Sequence, residues 1–180
     1  MKNVLFAIIF TSILFIVVTG SYDANVSGTE QQITVPGGYE LVWNDEFNGN
    51  SLDTTKWNYD RGTGAQYGLN GWGNNELQYY TVDRPKNVRV DHGMLILEAH
   101  REDYKNMEYT SGRIHTMGKG DWKYGRFEIK ARLPEGRGTW PALWMLPTLE
   151  NMQWPEDGEI DIMEHVGYNQ NNIIATIHTG

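Results

Sequence analysis

Three observations predict an all-β fold, a sandwich rather than a helical bundle. Short alternating or β-rich runs recur along the chain, and Gly, Asn, Asp and Pro separate them. No long segment with a 3.6-residue apolar period competes beyond the N-terminal apolar stretch. The expected strands begin with Tyr39 to Trp43, which opens the compact region after Pro36, Gly37 and Gly38. Val88 to Val90 and Met94 to Ala99 follow, with Asp91-His92-Gly93 as a tight turn between them. Ser111 to Thr116, Arg126 to Ala131, Leu143 to Leu146, Glu159 to Glu164 and Ile173 to His178 complete the set. There is no internal repeat.

Composition narrows the partners. Lys2, an apolar core from Val4 to Val18 and the small residues Thr19, Gly20 and Ser21 form the pattern of a secretory signal peptide, with cleavage expected near Gly20. The apolar run is shorter than a comfortable membrane span of about 20 residues and a polar segment follows it, so no membrane association is expected after cleavage. The expected destination is extracellular or periplasmic. The chain has no cysteine, so no disulfide framework accompanies export, and burial has to supply the stability. Residues 21–38 read as a flexible leader, and 39–180 as one domain expected to be monomeric. Asn25-Val26-Ser27 matches a glycosylation acceptor by chance. The formal net charge is −8, and loss of Lys2 with the signal peptide makes it −9. Such acidity disfavours nucleic acid, anionic membranes and sulfated or uronic glycans, whereas a neutral polysaccharide needs no basic groove. Seven Trp and ten Tyr supply flat faces on which sugars can stack, although packing accounts for many of them.

Residues 158–165 read Gly-Glu-Ile-Asp-Ile-Met-Glu-His, with three carboxylates inside an otherwise apolar run. Acids rarely enter such a stretch for stability. On a helix, Asp161 and Glu164 would splay about 160° and 140° from Glu159 in opposite senses. On a strand, Glu159 and Asp161 share a face, but Glu164 sits at an odd offset and would point at the other. A β-bulge near Met163 brings Glu164 back, and bulges are frequent beside active sites. The two Glu Cα atoms would then lie about 13 Å apart, and side chains leaning inward could bring the carboxyls within about 5 Å. That separation suits a retaining glycosidase, in which one glutamate attacks the anomeric carbon and the other donates and later accepts a proton. Asp161 between them would help to separate their pKa values. Taken alone, the octapeptide also admits a solvated strand face with three unrelated acids.

Gly158 to Glu164 resembles the signature of glycoside hydrolase family 16, and the extra residue Met163 favours its laminarinase, agarase and carrageenase branch over the lichenases. Gly71 to Thr81, Ser111 to Ile114, Tyr124 to Glu128 and Trp140 to Pro147 look like the laminarinases in particular, so that the resemblance spans about residues 39–180. It implies a β-jelly roll of two antiparallel sheets, concanavalin-like, with Glu159 as nucleophile, Asp161 as its assistant and Glu164 as general acid/base. It also implies that a complete domain continues past Gly180 for several strands, so the 180-residue product is expected to be an unstable or inactive fragment.

Trp140 and Trp144, four apart on an expected strand, can face one side, and by resemblance they line the sugar subsites. Trp154 would border the same site from a loop. Asn75, in a polar Gly-rich loop, matches a family ligand position, while Asn74 suits a turn. Arg113 alternates with Ile114 and could reach sugar hydroxyls or orient a carboxylate, whereas Arg126 and Glu128 suit a surface pair. His178 matches a family position from which it could bond Asp161 or a hydroxyl, and His165 should point to the other face. No His-Glu-x-x-His spacing supports a catalytic zinc, and the chemistry requires no cofactor. By resemblance, main-chain oxygens of Glu46 and Gly93 would contribute to a structural calcium site that this chain does not complete.

The expectation is therefore a secreted endo-acting enzyme that cleaves β-1,3 links of β-glucan, including mixed β-1,3/1,4 glucans, with retention. A same-fold agarase or carrageenase, or a glucan-recognition module without catalysis, are the rivals.

Overall fold

The computed structural model describes residues 38–180 together with the strand backbones 6–11 and 16–19. Its strands are β1 (Phe6–Thr11), β2 (Ile16–Thr19), β3 (Asn58–Tyr59), β4 (Gln78–Tyr80), β5 (Val88–Asp91), β6 (Met94–Leu97), β7 (His100–Tyr104), β8 (Met107–Ser111), β9 (Ile114–His115), β10 (Ala131–Arg132), β11 (Ala142–Pro147), β12 (Glu159–Glu164) and β13 (Ile174–His178). Helical structure is limited to two short 3-10 turns, Ala65–Tyr67 and Asn70–Gly73. Among the described residues no helix is long and apolar enough to cross a membrane.

The strands form a six-stranded sheet in the order β13-β12-β11-β1-β9-β3, a four-stranded sheet β10-β2-β6-β5 and a three-stranded sheet β4-β8-β7. Pairing is antiparallel except between β4 and β8, which run parallel and depart from the purely antiparallel expectation. Two of the tight turns require left-handed backbone. In β5–β6, His92 and Gly93 have φ of 49° and 71°, and in β7–β8, Lys105 and Asn106 have φ of 49° and 66°. Two successive positive φ values are those of a type I′ turn, whose twist matches the flanking strands.

The expected β5 and β6 match to within two residues, β11 to β13 to within one, and Ser111 to Thr116 divides into the end of β8 and β9. Tyr39 to Trp43 forms no strand. Residues 126–133 alternate exposed and half-buried side chains, yet only Ala131–Arg132 joins a ladder, so the alternation reports one covered face rather than pairing. The apolar stretch expected to be an export leader contributes β1, paired with β11 and β9, and β2, paired with β6 and β10. The expected flexible leader falls almost entirely on residues 20–37, outside the described residues.

The core unites Phe47, Leu52, Trp57, Val88, Val90, Leu95, Leu97, Ile114, Leu143, Met145 and Met163. Each such side chain contributes about 1.5–3 kcal/mol on burial. The cluster backs β11 and β12 through Leu143, Met145 and Met163.

Candidate active site

The catalytic strand is bulged. Against β13, Asp161 pairs with Thr176 and Glu164 with Ile174, so three residues of β12 span two of its neighbour. Against β11, Leu143 pairs with Met163 and Trp144 with Asp161, again leaving one extra residue on β12. Met163 joins the core, and Ile160 and Ile162 pack against it. Glu159, Asp161 and Glu164 are thereby left for the opposite face. Glu159 pairs with His178 and Glu164 with Ile174, four positions along β13.

Hydrogen bonds fix all three acids. The Trp154 indole N–H donates to Oε2 of Glu159 at 2.8 Å, and the Trp140 indole N–H to Oε1 of Glu164 at 2.9 Å. His178 Nε2 lies 3.0 Å from Oδ2 of the buried Asp161, and its ring stands 5.6 Å from that of Trp154. Burial, followed by the Asp161 charge and the hydrogen bond with Asp161, pushes Glu159 up to about 7, while Trp154 and His178 oppose the rise. Burial also raises Glu164, against the Trp140 hydrogen bond.

The wall behind Trp144 is built around Arg113. Its Nε is 2.7 Å from Oδ2 of Asp60, an ion pair whose N–H is not aligned as a hydrogen bond. The guanidinium lies 4.4 Å from the Trp72 ring centroid and 5.0 Å from that of Trp144. Arg113 is only 7% exposed and packs beside Trp144, whose position on β11 pairs with Asp161. A planar, weakly hydrated guanidinium suits such contact with aromatic rings.

The loop that carries Asn75 is tied to the same wall. Gly71 has φ of 51°, and a Cβ there would stand 2.8 Å from the Glu76 nitrogen, so the turn requires glycine. The Glu76 carboxylate accepts from Gln78 at 2.5 Å and from the buried Tyr80 hydroxyl at 2.7 Å. Asn75 itself is exposed with φ of 57°. Of the expected site residues, the structure therefore gathers Glu159, Asp161, Glu164, Trp140, Trp144, Trp154 and His178 around one strand face. Asn75 lies on a separate loop anchored to the wall, and Arg113 lies behind it. Residues missed in the sequence are Asp60, Trp72, Glu76 and Tyr80; Asp60 and Arg113 are remote in the chain, and only the pairing of β3 with β9 brings them together.

Ligand atoms of Glu159, Asp161 and His178 lie within 4.8 Å of one another. Hydrogen bonding among these groups accounts for that closeness, and no metal is assigned there. For the implied structural calcium, Glu46 and Gly93 would supply two main-chain oxygens of the six to eight that the ion takes. These two do not make a site, and no step is routed through it.

Residues 87–180 match the family model described as an XgeA-like, catalytic GH16 domain. A β-glucanase of Rhodothermus marinus is 57% identical over 145 residues, covering 78% of this chain and 49% of that protein. A glucan endo-1,3-beta-glucosidase of Cryptopygus antarcticus is 44% identical over 150 residues, covering 80% of this chain and 52% of that protein. The X-ray structure of the R. marinus laminarinase superposes with a TM-score of 0.72 at 56% identity, over 78% of this chain and 55% of that one. The chain spans about half the length of the curated relatives it matches. The all-β fold is that of the jelly-roll laminarinases on which it superposes. The chain belongs to glycoside hydrolase family 16.

Proposed function

We propose that the protein is an endo-acting β-glucanase that cleaves internal β-1,3 links, in plain and in mixed β-1,3/1,4 glucans, with retention at the anomeric carbon. The observation that carries this reading is the bulge in β12, which leaves Glu159 and Glu164 on one face, four β13 positions apart. That offset corresponds to about 13 Å between Cα atoms, within reach of the roughly 5 Å carboxyl separation of retaining enzymes. The named activities of the relatives support the substrate class.

In the first step a Glu159 carboxylate oxygen bonds to C1, the C1–O glycosidic bond breaks, and Glu164 protonates the departing oxygen. In the second, Glu164 takes a proton from water, the water oxygen bonds to C1, and Glu159 is released. Glu159 attacks as the anion, with the Trp154 indole N–H donating to it. His178 holds Asp161 in place beside it. Exposed rings at Trp140 and Trp154 offer stacking faces, and Asn75 offers amide hydrogen bonds. The same reading includes export directed by residues 1–20 and a monomeric mature protein.

The test is incubation of the full-length protein, as parent, and of its Glu159→Gln variant with laminarin, lichenan, agarose and carrageenan. The parent should cleave the first two, and the variant should lose about 10³-fold or more in kcat with little change in binding. Cleavage of agarose or carrageenan alone, binding without hydrolysis, or equal activity of variant and parent would each overturn the reading.

A further inference from the structure

We infer that Trp154 and Trp140 are positioning residues for the two catalytic glutamates: each indole N–H claims one carboxylate oxygen and leaves the other as the reacting atom. This deepens the glucanase reading and rests on it. An indole N–H donates and never accepts. The oxygen it holds is already an acceptor, so a proton settles more readily on the other oxygen. On Glu164 the held oxygen is Oε1, which favours Oε2 as the site of the transferable proton. On Glu159 it is Oε2, which leaves Oε1 as the attacking atom.

The main chain holds both indoles in register. On either side of Trp140, the carbonyls of Thr139 and Pro141 accept from Gly167 at 2.9 Å and from His165 at 3.1 Å. Trp154 lies in a loop closed by Asp157 N–H to the Gln153 carbonyl at 2.8 Å, Gly158 N–H to the Pro155 carbonyl at 3.0 Å, and Gln153 N–H to the Asp157 carboxylate at 2.8 Å. The rings are nonetheless 53% and 56% exposed, so the N–H is committed inward while the face stays open. Two functions thus use different atoms of one side chain. Trp144 provides the contrast. Its Nε1 is buried with no hydrogen-bond partner among the described residues, so its ring tethers no carboxylate. The other titratable groups facing the two glutamates are Asp161 on β12 and His178 on β13, and all the tryptophan variants leave them in place.

The experiment is the pH dependence of kcat/KM on laminarin for the parent and for Trp154→Phe, Trp140→Phe and Trp144→Phe. Phenylalanine keeps an aromatic face and removes the donor. Each donor favours the ionised carboxylate, so its loss raises that group's pKa. Trp154→Phe should move the acidic limb to higher pH, and Trp140→Phe the basic limb. Each should lower kcat by about 10²-fold with a small change in KM. Trp144→Phe should move neither limb, whatever it does to KM. Unshifted limbs with a raised KM in Trp154→Phe and Trp140→Phe would overturn the inference and leave only stacking. A parent that cleaves no β-glucan would instead overturn the glucanase reading. Where a Phe variant does not fold, benzothienylalanine at the same position removes only the N–H and is read by the same limbs.

Discussion

Burial at Glu159 opposes folding where its carboxyl is ionised. Desolvation and the neighbouring Asp161 push its pKa from 4.5 up to about 7. Between those two values the folded chain binds more protons than the unfolded one. Stability from this group therefore falls as pH rises from about 4.5 to about 7. Glu159→Gln removes the charge and keeps the shape. The variant should melt about 2–4 °C above the parent at pH 8 and show no such gain at pH 4, as read by thermal denaturation at the two values. An equal offset at both would show that the group is not linked to folding. Asp161 and His178 form the complementary pair, and their 3.0 Å contact keeps the assisting carboxylate aimed while its neighbour changes charge.

Strand β12 shows how an element converts a one-residue irregularity into a site. Its extra residue is absorbed between Asp161 and Glu164, and pairing to β13 resumes at Ile174. Deleting Met163 would leave Glu-Ile-Asp-Ile-Glu in plain alternation, so all three acids would remain on one face with the downstream register unchanged. The deletion should cost about 2–4 kcal/mol through the lost core methionine. Activity should fall by about 10²-fold without being abolished, because the acids shift by roughly 1 Å rather than changing face. Denaturant melts and laminarin turnover measure the two effects, and complete loss of activity in a folded variant would contradict the register argument. This bulge was legible in the sequence because an odd spacing of acids has few structural solutions. The indole tethers were not, since Trp140 reaches Glu164 only through the antiparallel register of β11 and β12, and periodicity does not report register between strands. Strands β4, β7 and β8 escaped for another reason: His100 to Tyr104 is polar and half-exposed, and the turn at Lys105 and Asn106 lacks glycine. For Arg113, alternation with Ile114 sets its face but says nothing of Trp72 and Asp60, which pack against it from remote parts of the chain.

Over the whole molecule, stability against acid is set largely away from the cleft. Glu102 accepts from Arg84 at 2.6 Å and from Lys86 at 2.7 Å, with Thr110 also donating to it. These hydrogen bonds hold its carboxyl well below the usual range. Its contribution is present above the ordinary value of 4.5 and is lost as pH falls below it, the reverse of Glu159. Glu102→Gln should therefore destabilise the protein by about 1–2 kcal/mol at pH 7 and by less at pH 3, as measured by urea unfolding at both values. The contributions of these two groups taken together are largest near the ordinary carboxylate value of 4.5. Ionic strength divides the molecule differently. The Arg126–Glu128 pair has side chains 52% and 59% exposed, and dissolved ions reach it freely. The Arg113–Asp60 pair is only 8% exposed on each side, and the Trp72 and Trp144 rings cover the guanidinium. Its attraction is shielded from mobile ions by indole rather than by distance. The Arg113 cluster beside Trp144 therefore keeps its ion pair from dilute water to brine, while the exposed charges are screened.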